Sequence, residues 1–422
     1  MSSIATPPLF RNNKEFILTS LFLIAIVVAR LAWIYQDYKN IINTPSYYIE
    51  AQIDKVYNKK KDNKLLLKLH AKEGFDFYLY SNKKGLNRYD WLLVNIKDNR
   101  DIKFLDFLKG FFAKGKIVKV LERGFNPKWL VKEKIDNQHN NIEIKDFYNA
   151  IFLAEPINKE LRDKISSLGV SHLVALSGFH LGILWFVVFG ILYYPYKFLQ
   201  KRFFPWRHRG IDIGFVSLFI LYLYLVFVGF PPALVRAYVM LVVAWIALRV
   251  GINIISFRLL AIVFLLILII NPRLIVSLGL LFSIMGVFYI FLILKWFKDS
   301  SIWLISLILI PVGVFLLMFP IGHFFFPNTS IWQLSSAILS LLFIPFYPIS
   351  AIAHIFGYGD IFDKALLWVF NLPKSGVDIT IPNALIALYL FLSFASIFRK
   401  KIFYITLALA TVITTYSLTI SL

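Results

Sequence analysis

The 422-residue chain contains no cysteine. That excludes a disulfide framework, a thiolate metal site and a cysteine nucleophile. Carboxylates are informative by where they are missing. Most of the 24 Asp and Glu lie between Asp37 and Asp163; outside that stretch there are only Glu15, Asp212, Asp299, Asp360, Asp363 and Asp378. All six fall at expected ends or loops, so no carboxylate sits in the middle of an apolar run. Proton- and cation-driven carriers usually place one there, which argues against that class. The seven histidines, His70, His139, His172, His180, His208, His323 and His354, show no His-x-His or His-Glu-x-x-His spacing. A metal hydrolase therefore has little support. Gly110-Phe-Phe-Ala-Lys-Gly-Lys-Ile117 nearly spells a phosphate loop. It lacks the Ser or Thr after Lys116 and runs into a strand rather than a helix, so no nucleotide-hydrolysing site is expected. These absences together predict a protein that is not an enzyme and carries no cofactor and no metal.

What remains is strongly apolar and strongly basic. Hydrophobic residues make up 59% of the chain and the formal net charge is +21; the mean hydropathy is +0.69. Apolar windows of membrane length follow one another from Leu173 onward, which predicts a polytopic α-helical membrane protein. The positive charge suits anionic lipid, nucleic acid or another polyanion. Phe16 to Tyr35 reads as a first span, too long for a cleaved leader and without a small-x-small site after it. Residues 1–36 are thus expected to be an N-terminal membrane anchor. Residues 47–136 change character. Short β-rich segments run Tyr48–Tyr57, Lys64–His70, Phe75–Tyr80, Trp91–Ile96, Lys116–Leu121 and Trp129–Ile135, with turn residues between them and one helix-like piece, Ile102 to Phe112. That pattern predicts a small inserted β-barrel of OB-like type.

Residues 144–167 carry Phe147, Ile151, Ala154, Ile157, Leu161 and Ile165 at helical spacing, with Pro156 kinking or dividing the piece. An amphipathic approach helix at the membrane surface is expected there, followed by a transmembrane bundle over residues 171–422. Basic clusters at Lys201–Arg209, Arg249 with Arg258, and Lys295 with Lys298 orient the spans. They place the N-terminus in the cytoplasm and the β domain on the outer side. Residues 331–356 hold Pro345 and Pro348 near their midpoint. A re-entrant pair of half-helices is expected there, which would put Arg399-Lys400-Lys401 inside.

Ser171 to Gly182 opens a long apolar run, Leu173 to Leu199, yet carries His172, Ser177, Gly178, His180 and Gly182. On a continuous helix the two histidines, eight apart, share one face. Imidazoles and a Ser-Gly break at membrane depth suit the lining of a passage; a packing seam of small residues is the other reading. Arg236 stands one turn into the span that begins at Pro231-Pro232. It reads either as a contact for phosphates or as an arginine snorkelling to the interface. In the β domain, Lys59, Lys60, Lys61, Lys64 and Lys68 cluster around one hairpin, and Tyr78, Tyr80, Tyr89 and Trp91 are candidate stacking residues. Lysines with interleaved aromatics are the usual device for single strands, although lipid headgroups attract the same charges.

His172-Leu-Val-Ala-Leu-Ser-Gly-Phe-His-Leu-Gly-Ile-Leu184 closely resembles the signature of ComEC-type competence proteins. These are the inner-membrane channels for single-stranded DNA in natural transformation. Three further blocks agree in order: Glu160 through Ser171, Gly229-Phe-Pro-Pro-Ala-Leu-Val-Arg-Ala-Tyr-Val-Met240, and Asn271-Pro272 through Gly286. The resemblance implicates His172, Ser177, Gly178, His180, Pro232, Arg236 and Ser283. Pro231 stands where the family usually has Ser, and Ser340 where it often has Asn. The resemblance implies transport of single-stranded DNA across the bacterial cytoplasmic membrane, with membrane lipid around the bundle. It also implies a DNA receptor on the outer side and a cytoplasmic motor or single-strand-binding protein as partners. A short form without the family's metallo-β-lactamase-like nuclease domain is expected. The alternative is a membrane-anchored DNA- or lipid-binding assembly protein without channel activity; a small-anion carrier comes third.

Overall fold

The computed structural model describes residues 9–10, 12–58, 65–83, 85–97, 100–122, 128–251, 255–372 and 376–421. The chain divides into two units, one of Phe10–Trp129 with Ile262–Leu280, the other of Leu130–Ala261 and Leu281–Leu422 with Met1–Leu9.

The first unit holds a helix α1 (Asn13–Asn43), strands β1 (Ser46–Asn58), β2 (Leu65–Ala71), β3 (Asp76–Ser81) and β4 (Trp91–Lys97), a short helix α2 (Phe104–Lys109) and β5 (Phe111–Glu122). The strands close into a barrel in the order β1-β2-β3-β5-β4. Only the β3–β5 pair is parallel. Two-residue alternation makes the barrel. Ile49, Ala51 and Ile53 on β1, Leu67 and Leu69 on β2, Phe77 and Leu79 on β3, and Leu92, Val94 and Ile96 on β4 all point into one buried cluster. α1 is 31 residues long, about 46 Å at the helical rise, and outruns a hydrocarbon core of roughly 30 Å. Its last turns serve the barrel instead: Ile34, Tyr38 and Ile41 join the barrel cluster, and the Tyr38 hydroxyl donates to the Ile102 carbonyl at 2.8 Å. The turn Pro272–Val276 is fixed to the same end. Arg273 donates to the Phe107 carbonyl at 3.1 Å and lies 4.8 Å over the Phe107 ring.

Gly110 ends α2 with φ +99° and the chain enters β5 directly, so the near phosphate loop is a helix-to-strand corner. Gly115 has a different constraint. A Cβ there would lie 2.4 Å from the Asn95 carbonyl oxygen on β4. Gly115→Val should therefore open the β4–β5 pairing and cost about 3 kcal/mol. Gly74→Ala meets no atom within 4 Å and serves as the control, with only its positive φ to strain it. Limited proteolysis of the two variants checks this: equal resistance would remove the clash from the account.

Two expectations for this region need correction. Trp129–Ile135 is not a strand; it lies in a helix α3 (Lys128–Asp136). Five strands already close the barrel, so no edge is left for a sixth. α1 continues to Asn43 rather than ending near residue 36, because its C-terminal turns have the barrel to pack on.

In the second unit, residues 144–167 form two helices, α4 (Ile142–Leu153) and α5 (Lys159–Ser167). Ala154 adopts the left-handed region with φ 59°, Pro156 follows, and Asn158 caps α5 by accepting from Leu161 N at 2.8 Å. Their apolar faces are buried rather than laid on a surface: Ile144, Phe147, Ile151, Leu161 and Ile165 belong to one core. After them come α6 (Ser171–Val174), α7 (Gly178–Phe203), α8 (Arg209–Phe227) and α9 (Pro232–Arg249). Among the described residues seven helices are long and apolar enough to cross a membrane: Asn13–Asn43, Gly178–Phe203, Arg209–Phe227, Leu278–Trp296, Ile302–Phe325, Ile331–Ile355 and Lys400–Ile420. Phe257–Ile270 and Asn383–Ala395 are apolar but shorter. The protein is thus a polytopic helical membrane protein with a small closed barrel inserted near its start.

The half-helices expected around Pro345 and Pro348 do not form; Ser336–Ile355 is one continuous helix through both prolines. Membrane helices tolerate such gaps in their hydrogen-bond ladder where neighbouring packing holds the backbone. Here Phe343 and Tyr347, on either side of Pro345, are buried.

Candidate functional site

The signature segment is broken where a continuous helix is expected. α6 ends at Val174, Ala175 is extended, and α7 starts at Gly178 with Ser177 as its N-cap. Ser is among the best N-caps because its oxygen accepts an otherwise orphaned N–H; Phe179 N donates to Ser177 Oγ at 3.3 Å. His180 closes the box from the other side. Ser177 N–H donates to His180 Nδ1 at 3.3 Å, so Nδ1 is an acceptor and the proton of the neutral ring sits on Nε2. His180 is fully buried, and Nε2 has no partner among the described residues. Gly178 permits the packing, since a Cβ there would stand 3.2 Å from Ala237 Cβ on α9. The break also corrects the shared face: His172 and His180 sit on different helices.

What unites them is a third helix. Along Ser336–Ile355, residues 336, 340, 343, 347, 350 and 354 recur at alternating steps of four and three, which keeps them on one face. Ser336 Oγ donates to the Gly169 carbonyl at 3.0 Å. Ser340 Oγ donates to the Ser336 carbonyl at 2.7 Å, so it accepts from His172 Nε2 at 3.1 Å. Phe343 and Tyr347 meet the His180 ring edge-on at 5.0 and 4.9 Å. His354 reaches His139 at 2.9 Å. The stripe runs about 27 Å along the helix and is polar at both ends and aromatic in the middle. Ser340, in place of the expected Asn, is thus the partner of the signature's first histidine.

The other expected site residues are placed as follows. Arg236, on α9 one residue before Ala237, is 4% exposed, and its Nε has no partner among the described residues. Pro232 is the first residue of α9. Gly182, one turn into α7, faces open space, with no atom within 4 Å of a Cβ placed there. Ser283 is half-buried on the helix Leu278–Trp296; its flanking Phe282 and Ile284 pack on a different core from the one holding Leu173 and Val174.

On the barrel, Lys59, Lys60, Lys61 and Lys64 lie outside the described residues. Lys68 is held between Asp54 and Asp76, each at 2.8 Å. Burial alone would lower its ammonium, but the two carboxylates outweigh that and raise it. Burial likewise opposes ionisation of Asp76, yet His70 and Lys68 hold it at about 2. This lysine is neutralised within the barrel wall. Trp91 is half-buried on β4. Tyr80 and Tyr78, both expected stacking candidates, are joined by Phe112, which the strand pattern does not single out. Tyr78 and Phe112 are cross-strand partners on β3 and β5. Their rings lie 5.1 Å apart at 26°, and Tyr80 lies 6.2 Å from Phe112 at 19°. Phe112 is 61% exposed, and Lys114 and Lys116, also exposed, follow it at two-residue steps on β5. Phe112 had been read as the end of a helix; the glycine before it was the signal that the helix stops there.

An apolar bundle of membrane-length helices and a small inserted barrel define a multi-pass membrane protein. The chain belongs to the competence protein family, whose model matches residues 154–421. Membership gives the protein a role in DNA uptake at a general level. No curated protein and no solved structure matches it.

Proposed function

We propose that the protein passes single-stranded DNA across the bacterial cytoplasmic membrane. The barrel, on the outer side, receives the strand, and the helical bundle forms the passage. The observation that carries the reading is Arg236: a buried guanidinium whose Nε has no partner among the described residues, in a bundle poor in carboxylates. A polyanion supplies the charge such a group is missing, and few fixed negative charges stand in its way. The aromatic face of the barrel, followed by Lys114 and Lys116, suits bases and phosphates of a single strand. OB-like barrels commonly bind oligonucleotides on that side of the sheet. The basic clusters between spans support a cytoplasmic N-terminus. A DNA receptor outside and a motor or single-strand-binding protein inside complete the path, and the protein acts as a transporter rather than a catalyst.

A second reading has its own observation. Ser177 and His180 close a helix cap and pack against aromatics, which is a structural task. A bundle that only scaffolds a DNA-binding barrel needs nothing more of them. The two readings part in a strain lacking the protein, with labelled DNA followed separately outside and inside the cytoplasmic membrane. DNA halted outside, and released inward by the wild-type gene but not by Arg236→Gln, supports the passage; release by Arg236→Gln as well supports the scaffold. Unchanged arrival in the cytoplasm of the deletion strain sinks it.

A further inference from the structure

The far end of the 336–355 stripe holds a cluster that DNA transport does not use. His139 lies between α3 and α4 with its side chain fully buried. Its Nδ1 stands 2.9 and 3.0 Å from the two oxygens of Asp363. Its Nε2 stands 2.9 Å from Nε2 of His354. His354 Nδ1 lies 2.6 Å from the Ser350 carbonyl.

These contacts can be counted in protons. A carbonyl only accepts, so His354 Nδ1 carries a hydrogen. One hydrogen, and only one, fits between the two Nε2 atoms. A third must lie between His139 Nδ1 and the carboxyl group. Two neutral imidazoles and an ionised carboxylate supply two hydrogens; the fully bonded cluster contains three. We propose that His139, His354 and Asp363 form a buried proton-binding site. Its ligand is a single extra proton, held as a His139 imidazolium against the Asp363 carboxylate.

The surroundings fit a proton better than a metal ion. A 2.9 Å Nε2–Nε2 separation is a hydrogen-bond length. Among the described residues no three such side chains, these included, are arranged to hold a metal ion. From α4, Tyr148 stacks on His139 at 4.7 Å and Phe152 meets His354 at 5.2 Å. Burial, with the Asp363 carboxylate, pushes the Tyr148 hydroxyl up, so it stays un-ionised. Asp136, at the end of α3, is occupied by Asn149 Nδ2 at 2.7 Å. Gln138 locks the layer by donating to the His354 carbonyl at 3.1 Å and accepting from Gly359 N at 2.8 Å. Near Asp363, Asp360 and Lys364 are exposed to solvent.

The proton count makes the site fail on both sides of a pH window. Removing the third proton sets two lone pairs against each other. Adding a fourth either places two hydrogens between the Nε2 atoms or discharges the Asp363 carboxylate that holds the imidazolium. Either event leaves a buried polar group unpaired and loosens residues 137–141 from 355–363. The site thus ties the pairing of this helix end to the local proton concentration.

The test is hydrogen exchange of the backbone amides of 137–141 and 357–363 in the full chain in lipid nanodiscs. pH is scanned from about 4 to about 10, with the intrinsic pH dependence of exchange removed. Wild-type protection should peak inside this range and fall about tenfold on either side. Asp363→Asn keeps the shape but offers an amide hydrogen to His139 Nδ1, so two imidazole protons suffice. That variant should lose the high-pH fall. A profile identical to wild type would overturn the proposal. Heavy-nitrogen NMR of labelled histidine gives a second check within the window: one ring protonated on both nitrogens, absent from His139→Asn, and one on Nδ1 alone, which the Ser350 carbonyl keeps in that variant. Two neutral rings at every pH overturns the proposal, as does protection that appears only when zinc(II) is added to chelator-treated protein.

Discussion

Arg236→Met should leave the protein at least as stable as wild type while DNA arrival in the cytoplasm falls about ten- to hundredfold. The two effects point in opposite directions because the arginine is a burden to the fold. It is 4% exposed, and Nε lacks a partner among the described residues. An unpaired buried cation costs several kcal/mol, and an apolar side chain of similar length removes that cost. The proposed passage supplies a ligand for it: a phosphodiester bears the right charge and the right oxygens for a guanidinium fork. Arg236→Lys should be intermediate, since it keeps the charge and loses the fork. Thermal unfolding of the purified variants and compartment-resolved uptake of labelled DNA measure both sides. A variant that unfolds early, with uptake lowered only in step with the folded fraction, would return Arg236 to a packing or snorkelling role.

The sequence made the bundle legible because its signal is strong: apolar length in the spans and two-residue alternation in the barrel. Closure of the barrel with one helix between the fourth and fifth strands followed from spacing alone. The misreadings have a common cause, which is that local pattern does not say what a segment packs on. Trp129–Ile135 has β-rich composition, yet five strands had already closed the sheet. Pro345 and Pro348 are helix breakers in isolation, yet the helix persists where Phe343 and Tyr347 are buried. The Ser-Gly break is legible, but not that it is an N-cap, because that needs Ser177 to find His180 three residues on. Least legible was the stripe on Ser336–Ile355. It gathers partners such as Gly169, His172 and His139, which are remote in sequence, and a single chain carries no periodicity for such pairing. Lys68 shows the converse: charge was legible, but not that Asp54 and Asp76 neutralise it.

The last prediction separates stacking from charge on the barrel. Tyr78→Ala and Phe112→Ala in the full chain should each weaken binding of an oligo-dT strand about tenfold, the usual worth of one base–aromatic stack. Lys68→Ala should change affinity little, because its ammonium already faces two carboxylates and offers no counterion to release. Lys116→Ala should lower affinity less than the ring variants, but it should flatten the salt dependence by about 0.7 in slope. Fluorescence anisotropy at several salt concentrations reads both quantities on the same samples. The pattern distinguishes the barrel's possible ligands. A lipid headgroup has no base to stack, so anionic vesicles would respond to Lys116 and ignore Tyr78 and Phe112. A strand of DNA needs both. Unaltered oligo-dT affinity in the Tyr78→Ala, Phe112→Ala double variant, with vesicle binding lost in Lys116→Ala, would make this face a membrane contact and move DNA reception elsewhere on the protein.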